Sequence, residues 1–353
     1  MTAYQSQLDD KTRRLNALLT PFNAPTPDIY PSPSYGYRMR AEFRLWHDGD
    51  DCYHAMTATN GNIERIDTFP PVHHSINALM PQIIDALQQS QVLRYRLFQI
   101  EYHAAQSGEI MVSLIYHKVL DAHWQQAAEN LAHQLNINLI GRSRKNKHVI
   151  GRDYITETLH IDGRDYHYRQ YENSFSQPNA NICQQMLQWT TSHAGSDADL
   201  LELYCGNGNF TLPLSTHYRR ILATEISKSG IRALRENLIA NCIHNVAVAR
   251  LSAHELAQAI RGDRPFRRLQ QDSINLSNYH FDTVFVDPPR AGIDDDTLNL
   301  LTQYPRIIYI SCNPDSLIKN LHQLCRSHRI SACALFDQFP FTPHIESGVI
   351  LER

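Results

Sequence analysis

A carboxylate and a thiol each come directly after an apolar segment in the second half of the chain. Asp287 follows the segment 281–286 and precedes two prolines, and Cys312 follows the segment 306–311. Ligands of open α/β sheets bind beyond the carboxyl ends of the strands, so both side chains are placed to meet a substrate. A thiolate there can act as a nucleophile. The alternatives are a buried, unreactive cysteine and a carboxylate that only caps a turn.

A glycine-rich turn follows another apolar segment. Gly206 and Gly208 come after the strand-like residues 200–204, and Glu225 ends the next apolar segment, about 20 residues downstream. This spacing is typical of a nucleoside site in which the acid binds the ribose hydroxyls. The third glycine of the dinucleotide motif is missing, which favours S-adenosylmethionine over a nicotinamide cofactor. A nicotinamide-dependent oxidoreductase is therefore the rival on the same architecture.

The second half of the chain alternates short apolar segments with amphipathic ones. This order predicts βαβ units and a mainly parallel sheet. The clearest helix is predicted over 227–241, with Ser227 as N-cap and with Ile231, Leu234, Leu238 and Ile239 facing the sheet. Seven strands are predicted, at 200–204, 221–224, 246–249, 283–286, 307–310, 331–335 and 348–351.

The first half of the chain has a different pattern. Leucines from Leu8 to Leu19 have helical spacing, and a proline-rich extended connector follows. Residues 37–46 alternate, which predicts a strand with one apolar face and one basic, mostly solvated face. Helices near 76–87 and 124–135 and strands at 97–103 and 110–116 complete an α+β pattern. The two faces of the alternating strand are Met39, Ala41, Phe43 and Leu45, and Arg38, Arg40, Glu42 and Arg44.

Length and composition restrict the possible classes of protein. The 353 residues are enough for two domains, and 42% are hydrophobic. The polar first ten residues do not resemble a secretory signal, and there is no run of about 18 apolar residues that could form a membrane-spanning helix. We therefore expect a cytosolic protein that does not bind a membrane. The seven cysteines lack metal-site spacing, and the adjacent pair His73 and His74 has no further ligands, so no metal is predicted.

Five motifs in order resemble the signature of the RNA uracil-5 methyltransferases. They occupy 175–179, 206–210, 287–290, 311–314 and 344–348. Similarity to the bacterial tRNA branch extends through 37–48, 114–118, 168–179 and 336–340, and so covers nearly the whole chain. RNA cytosine-5 methyltransferases carry a cysteine where Arg290 stands here. Ribosomal-RNA relatives usually carry an N-terminal four-cysteine iron–sulfur cluster, whereas only Cys52 lies among the first 180 residues.

This resemblance implies S-adenosylmethionine-dependent methylation of carbon 5 of uridine 54 in the T loop of tRNA, which forms 5-methyluridine. Cys312 would add covalently to carbon 6 of the uracil, and Glu346 would be the general base. Asp287 would lie at the edge shared by cofactor and substrate. The expected cofactor contacts are Gln177, Tyr204, Gly206, Asn209, Glu225 and Asp287. For phosphate and stacking contacts with RNA we expect Arg40, Arg44, Phe98 and His117; for each, a plain surface or core role is the alternative.

The implied architecture is α/β. A Rossmann-like S-adenosylmethionine methyltransferase domain with a mainly parallel seven-stranded sheet is expected over 171–353. An N-terminal α+β RNA-binding region is expected over 1–170, with a helix and extended connector at 1–35. The expected partner is the T arm of tRNA, or another RNA with a T-like arm, bound by a monomer without metal or iron–sulfur cluster. The alternatives are a ribosomal-RNA uracil-5 methyltransferase and an RNA-binding or tRNA-folding factor.

Overall fold

The structure is a computed structural model that describes residues 2–58, 60–195 and 198–353. The chain divides into two compact units. The large unit comprises the residues up to Ser32, Leu159–Tyr168 and Asn181–Arg353. The small unit comprises Pro33–Thr158 and Arg169–Ala180.

Helices and strands occur in both units. The helices of the described residues are α1 (Ala3–Leu19), α2 (His74–Gln89), α3 (Gln91–Arg94), α4 (Ala122–Leu135), α5 (Ala180–Ser192), α6 (Thr211–Leu214), α7 (Lys228–Ala240), α8 (Ala253–Arg261), α9 (Arg267–Gln271), α10 (Asp295–Leu301) and α11 (Pro314–Leu324). The strands are β1 (Asp28–Tyr30), β2 (Arg40–Asp48), β3 (Asp51–Thr57), β4 (Ile63–Arg65), β5 (Leu97–Ala104), β6 (Ile110–Tyr116), β7 (Asn138–Arg142), β8 (Lys147–Ile150), β9 (Tyr154–Ile161), β10 (Arg164–Tyr171), β11 (Asp199–Leu203), β12 (Arg220–Thr224), β13 (Val246–Ala249), β14 (Phe281–Val286), β15 (Arg306–Ser311), β16 (Arg329–Phe336) and β17 (Glu346–Glu352). Strands β9 and β10 form a two-stranded sheet of their own.

The large unit is built on an eight-stranded sheet in the order β1-β16-β17-β15-β14-β11-β12-β13. Neighbouring strands are parallel except that β17 runs antiparallel to both β15 and β16. All seven predicted strands are present. The eighth, β1, comes from the predicted extended connector and pairs with β16 in the register Asp28↔Ala334. The mainly parallel α/β architecture is thus confirmed, with one additional edge strand.

Helix α7 shows how local sequence directs packing beside the sheet. The Ser227 hydroxyl accepts a hydrogen bond from the Gly230 N–H at 3.3 Å, as expected of an N-cap. Ile231, Leu234 and Leu238 are buried as predicted. The prediction for Ile239 was wrong, because this side chain is 77% exposed. Successive helical residues are rotated by about 100°, so the position after Leu238 turns away from the sheet.

Helix α1 belongs to the large unit, so a single boundary after residue 170 does not describe the structure. Leu8, Leu15 and Leu19 are at most 5% exposed and lie in the same hydrophobic cluster as Leu201 and Leu203 of the central strand β11. Burial of these leucines removes apolar surface from water, which stabilises the attachment of α1 to the sheet.

The small unit is an α+β structure, as predicted. Its sheet has the order β4-β3-β2-β5-β6-β7-β8, and its pairs are antiparallel except β6 with β7. On β2 and just before it, Met39, Ala41, Phe43 and Leu45 are at most 9% exposed, which confirms the alternating pattern. Among the helices of the described ranges, none is long and apolar enough to cross a membrane.

Candidate active site

Cys312 and Glu346 adjoin the last residue pair of two antiparallel strands. Ser311 of β15 pairs with Ser347 of β17, so Cys312 comes directly after this pair on one strand and Glu346 directly before it on the other. The charge of Glu346 contributes to the pKa of the Cys312 thiol, so the two side chains lie near each other. Cys312 is half-buried, and Glu346 is 4% exposed. The tertiary structure therefore brings together the predicted nucleophile and the predicted base.

Asp287 joins this pair from the neighbouring strand. It follows Val286, which pairs in parallel with Tyr309 of β15. Burial raises the pKa of the Asp287 carboxyl to about 7. Burial also raises the pKa of Glu346 well above its ordinary value, and the charge of Asp287 adds to this rise. Two carboxyl groups with raised pKa values thus lie in the electrostatic environment of one thiol.

The Cys312 thiol is itself shifted towards its neutral form. Burial raises its pKa to about 11, with further contributions from the negative charges of Glu346 and Asp287. The guanidinium of Arg290 opposes the rise. Because the thiolate is the nucleophilic form, the thiol needs a cation or a proton acceptor to react near neutral pH.

Arg290 is the cation of this cluster, and the sequence analysis did not assign it a role. Its Nη2 donates to His344 Nδ1 at 3.0 Å, and its carbonyl oxygen accepts a bond from Asn313 Nδ2 at 2.9 Å. Arg290 also opposes the rise of the Glu346 pKa. Its position directly after the Asp-Pro-Pro motif was the available sequence signal.

Hydrogen bonds between residues that are close in sequence fix the turn that carries Cys312. The Ser311 hydroxyl donates to the Asn313 carbonyl oxygen at 3.0 Å and accepts from the Asn313 N–H at 3.2 Å. Asn313 Oδ1 accepts from the Asp315 N–H at 3.2 Å and so caps α11, which has Pro314 in its first turn. A proline is well placed there because the first helical N–H groups have no partner within the helix. The turn is therefore held on both sides of the thiol.

The glycine-rich turn and Glu225 meet at the carboxyl ends of β11 and β12. Glu225 Oε2 accepts from the Gly206 N–H at 3.2 Å, and Oε1 accepts from the Ser227 N–H at 2.6 Å. Gly206 has φ +57°, a left-handed conformation that favours glycine. At Gly230 a Cβ atom would lie 3.1 Å from the Gly206 carbonyl oxygen, so the helix approaches the turn closely. The glycine-rich turn and the acid at the next strand end thus lie together, as their spacing in the sequence predicted.

Buried polar atoms around the same turn are left without hydrogen bonds. Within the described residues, Asn209 Nδ2, Thr211 Oγ1 and both carboxylate oxygens of Glu202 have no hydrogen-bond partner. Burial raises the pKa of Glu202 to about 8; the nearby Thr211 hydroxyl opposes the rise without forming a bond of normal geometry. Unsatisfied buried groups are rare and point to a bound molecule or water. The sequence analysis missed Glu202, since an acid inside an apolar strand gave no separate signal.

Residues 3–353 match the family described as tRNA (Uracil-5-)-methyltransferase. A protein of Acinetobacter baylyi named tRNA/tmRNA (uracil-C(5))-methyltransferase is 51% identical over 355 residues, which cover 99% of this chain and 98% of that protein. A Neisseria meningitidis serogroup C protein of the same name is 51% identical over 359 residues, covering 100% of this chain and 98% of that protein. The chain belongs to this family.

A solved structure shares the fold. The crystal structure of the Pyrococcus abyssi tRNA (uracil-54, C5)-methyltransferase, in complex with S-adenosyl-L-homocysteine, superposes with a TM-score of 0.74 at 21% identity. The match covers 99% of this chain and 83% of that chain. The resemblance read from the five motifs is therefore confirmed, and so is the expected methyltransferase fold.

The predicted cofactor residues fall in both units. Tyr204, Gly206, Asn209, Glu225 and Asp287 belong to the large unit, and Tyr204 adopts φ +60° directly before the glycine-rich turn. Gln177 belongs to the small unit and is half-buried. The cofactor contacts of all six residues stay predictions. In the described part of the chain, no group of three or more His, Cys, Asp or Glu side chains is arranged to hold a metal ion.

The predicted RNA residues separate into two kinds. Arg44 lies over the ring of Phe98, with 5.5 Å from Cζ to the ring centroid, and Phe98 and His117 have ring centroids 4.7 Å apart. Arg40 instead donates to the carbonyl oxygens of Ser174 at 2.6 Å and Glu172 at 2.7 Å. The expected solvated basic face of β2 was therefore wrong at Arg40, because these carbonyls draw the guanidinium into the protein.

The raised pKa of Cys312 predicts the pH dependence of its alkylation. With iodoacetamide and no ligand present, labelling of Cys312 should accelerate by about tenfold per pH unit up to pH 10, because the thiolate is the reactive form. Peptide mass spectrometry measures the rate, and the exposed Cys242 serves as the internal reference. Arg290→Gln should slow the labelling of Cys312, since it removes the opposing cation. A plateau below pH 9 would contradict the proposed environment of the thiol.

Proposed function

We propose that the chain methylates carbon 5 of a uridine in tRNA, with S-adenosylmethionine as the methyl donor, and that the target is uridine 54 of the T loop. The proximity of Cys312 and Glu346, which adjoin the last residue pair of β15 and β17 at the edge of the sheet, is the observation that carries this proposal. The family is described by this reaction, and the Pyrococcus abyssi protein of the same fold is named for uracil 54. The two bacterial relatives are also named for tmRNA, which we propose as a second substrate.

The residues at the glycine-rich turn fit the methyl donor. Asn209 Nδ2 is buried without a partner in the described residues and can donate to a ligand. Glu225 lies at the strand end with its carboxylate beside Gly206, where it can accept from ribose hydroxyls. When bound, S-adenosylmethionine supplies an electrophilic methyl group. We assign Tyr204 and Asp287 to the same site, and the contact of Gln177 with the cofactor stays a prediction from the sequence.

Cys312 is the proposed nucleophile because carbon 5 of uracil is too weak a nucleophile without activation. Addition of the Cys312 sulfur to carbon 6 moves electron density to carbon 5 and oxygen 4, which makes carbon 5 nucleophilic. Arg290 favours the required thiolate, since it is the cation that opposes the rise of the thiol pKa. Asp287, with a pKa of about 7, can take up and release a proton near neutral pH.

Glu346 is the proposed general base. Once carbon 5 carries the methyl group, its remaining proton must leave before the bond between carbon 6 and sulfur can break. A carboxylate whose pKa is raised by burial is a stronger base in its ionised form, which suits it to remove a proton from carbon. Elimination then restores the uracil double bond and releases Cys312.

An assay of product and nucleophile tests this function. The protein, S-adenosylmethionine and unmodified tRNA should yield 5-methyluridine, detected by mass spectrometry of the digested nucleosides. Cys312→Ala should yield none, because the ring is not activated without the thiol. Cys325→Ala is the matched control and should remain active. Product on ribosomal RNA but not on tRNA would overturn the proposed substrate, and RNA binding without any product would favour a folding factor.

Replacement of the proposed general base, Glu346, should separate formation of the methylated adduct from its elimination. Glu346→Gln removes the proton acceptor but keeps the size of the side chain, so the methylated adduct should form and then persist. A denaturing gel should show tRNA covalently bound to the protein, and Glu352→Gln at the other end of β17 provides the control. Normal turnover by Glu346→Gln would remove Glu346 from the base role.

The small unit offers a surface for RNA. A base inside a folded loop must be extruded before a thiol can reach it, and protein contacts must replace the lost stacking. Arg44, Phe98 and His117 form a contiguous cluster of one cation and two rings, which suits phosphate and base contacts. We propose this cluster as an RNA contact. For Arg40, the bonds to backbone carbonyls favour a structural role.

Loss of the Arg44 charge should weaken tRNA binding in a salt-dependent way. For Arg44→Ala, the slope of log K against log salt should become shallower by about one, as for the loss of one phosphate contact. Filter binding at several salt concentrations measures this slope. The control is Arg261→Ala, since Arg261 is already paired with Asp263 at 2.9 Å. An unchanged slope for Arg44→Ala would place the RNA surface elsewhere.

A further inference from the structure

The connection between β16 and β17, residues 337–345, is anchored at its start by a buried ion pair. Lys11 Nζ of α1 donates to Asp337 Oδ1 at 2.6 Å and to the Phe339 carbonyl oxygen at 2.9 Å. The two charged side chains are only 4% and 0% exposed. Tyr4 Oη donates to the second Asp337 oxygen at 2.8 Å. The carboxylate of Asp337 is therefore held by two side chains of the same helix.

Helix α1 also holds the later part of this connection. Gln7 Nε2 donates to the Thr342 carbonyl oxygen at 2.9 Å, and Gln7 Oε1 accepts from the Phe341 N–H at 3.1 Å. Arg14 Nη1 lies 3.4 Å from the Pro343 carbonyl oxygen. These residues and Lys11 are spaced by three or four positions, which places them along one face of the helix. The face contacts the connection almost from end to end.

Both ends of the connection lead directly to the proposed catalytic groups. Asp337 follows Phe336, which pairs with Glu346 across β16 and β17. Near the other end, His344 Nδ1 accepts from Arg290 at 3.0 Å. The path of the connection thus affects the position of Glu346, the residue that follows it, and where Arg290 is held.

We infer that α1 is a positioning element of the catalytic centre: by holding residues 337–345, it sets the positions of Glu346 and Arg290 relative to Cys312. This inference rests on the proposed function, since it takes Glu346 as the base. The attachment of α1 to the core is made by other side chains, Leu8, Leu15 and Leu19. Contacts with the connection can therefore be removed while the apolar attachment stays.

Gln7→Ala tests the inference because it removes both bonds to the backbone of the connection and leaves Lys11 and Asp337 in place. With tRNA tritiated at carbon 5 of its uridines, release of tritium should slow by about tenfold. A displaced Glu346 carboxylate is no longer oriented to remove the proton from carbon 5. The covalent protein–RNA adduct should accumulate, whereas tRNA affinity should stay unchanged. The matched control is Gln5→Ala on the same helix, because Gln5 bonds only to nearby groups at the exposed start of α1.

A readout that does not need turnover accompanies the assay. Displacement of Arg290 weakens the cation that opposes the rise of the Cys312 pKa, so iodoacetamide should label Cys312 more slowly in Gln7→Ala than in the natural protein. Tyr4→Phe, which removes only a hydroxyl group, should change both readouts in the same direction and serves if Gln7→Ala does not fold. Natural tritium release and natural labelling in a folded variant would overturn the inference. Absence of 5-methyluridine with the natural protein would instead overturn the proposed function, and the labelling rates would then decide the inference alone.

Discussion

The antiparallel insertion of β17 between β15 and β16 is the constraint on which the proposed site depends. In the parallel part of the sheet, strand ends bring Asp287 and the glycine-rich turn to a common edge. The proposed base can lie near Cys312 only if its strand runs the other way and begins at this edge. Strand β17 does so, since its first residue, Glu346, adjoins the pair formed by Ser311 and Ser347. Its register is fixed on two sides, by β15 and by β16.

Burial sets the protonation of the side chains at this edge. Removal from water is the largest cause of the raised pKa values of Cys312, Asp287 and Glu346. The shifts favour the neutral forms of Cys312 and Glu346, and Arg290 opposes the shift at both residues. The raised pKa values lower the thiolate fraction of Cys312 at neutral pH and make the carboxylates stronger bases when they are ionised.

The large unit joins segments that are far apart in the chain. Helix α1 contributes leucines to the core beneath β11, while its polar face holds the segment that precedes the last strand. Strand β1 extends the sheet beside β16. Because these contacts tie the start of the chain to its end, the first 32 residues are part of the methyltransferase fold and not of the α+β module that follows them.

The sequence by itself determined the features whose signals are local. Strand periodicity, the Ser227 cap, the glycine-rich turn with Glu225 at the next strand end, and the family motifs were all readable, because each depends on neighbours within a few residues or on a fixed spacing. The same local argument failed at Ile239, where the helical angle turns the side chain outward, and at Arg40, where distant carbonyls bind the guanidinium.

Only the tertiary structure decided how Cys312 and Glu346 meet, which cation serves them, and what holds their connection in place. These features depend on strand register and on contacts between Arg290 and His344 or between Lys11 and Asp337, which are separated by 54 and 326 positions. Composition and periodicity report whether a residue is buried, but they do not encode which distant residue it faces. That choice is made by the packing of the whole sheet, since a register or a buried ion pair is stable only when the surrounding elements are in place.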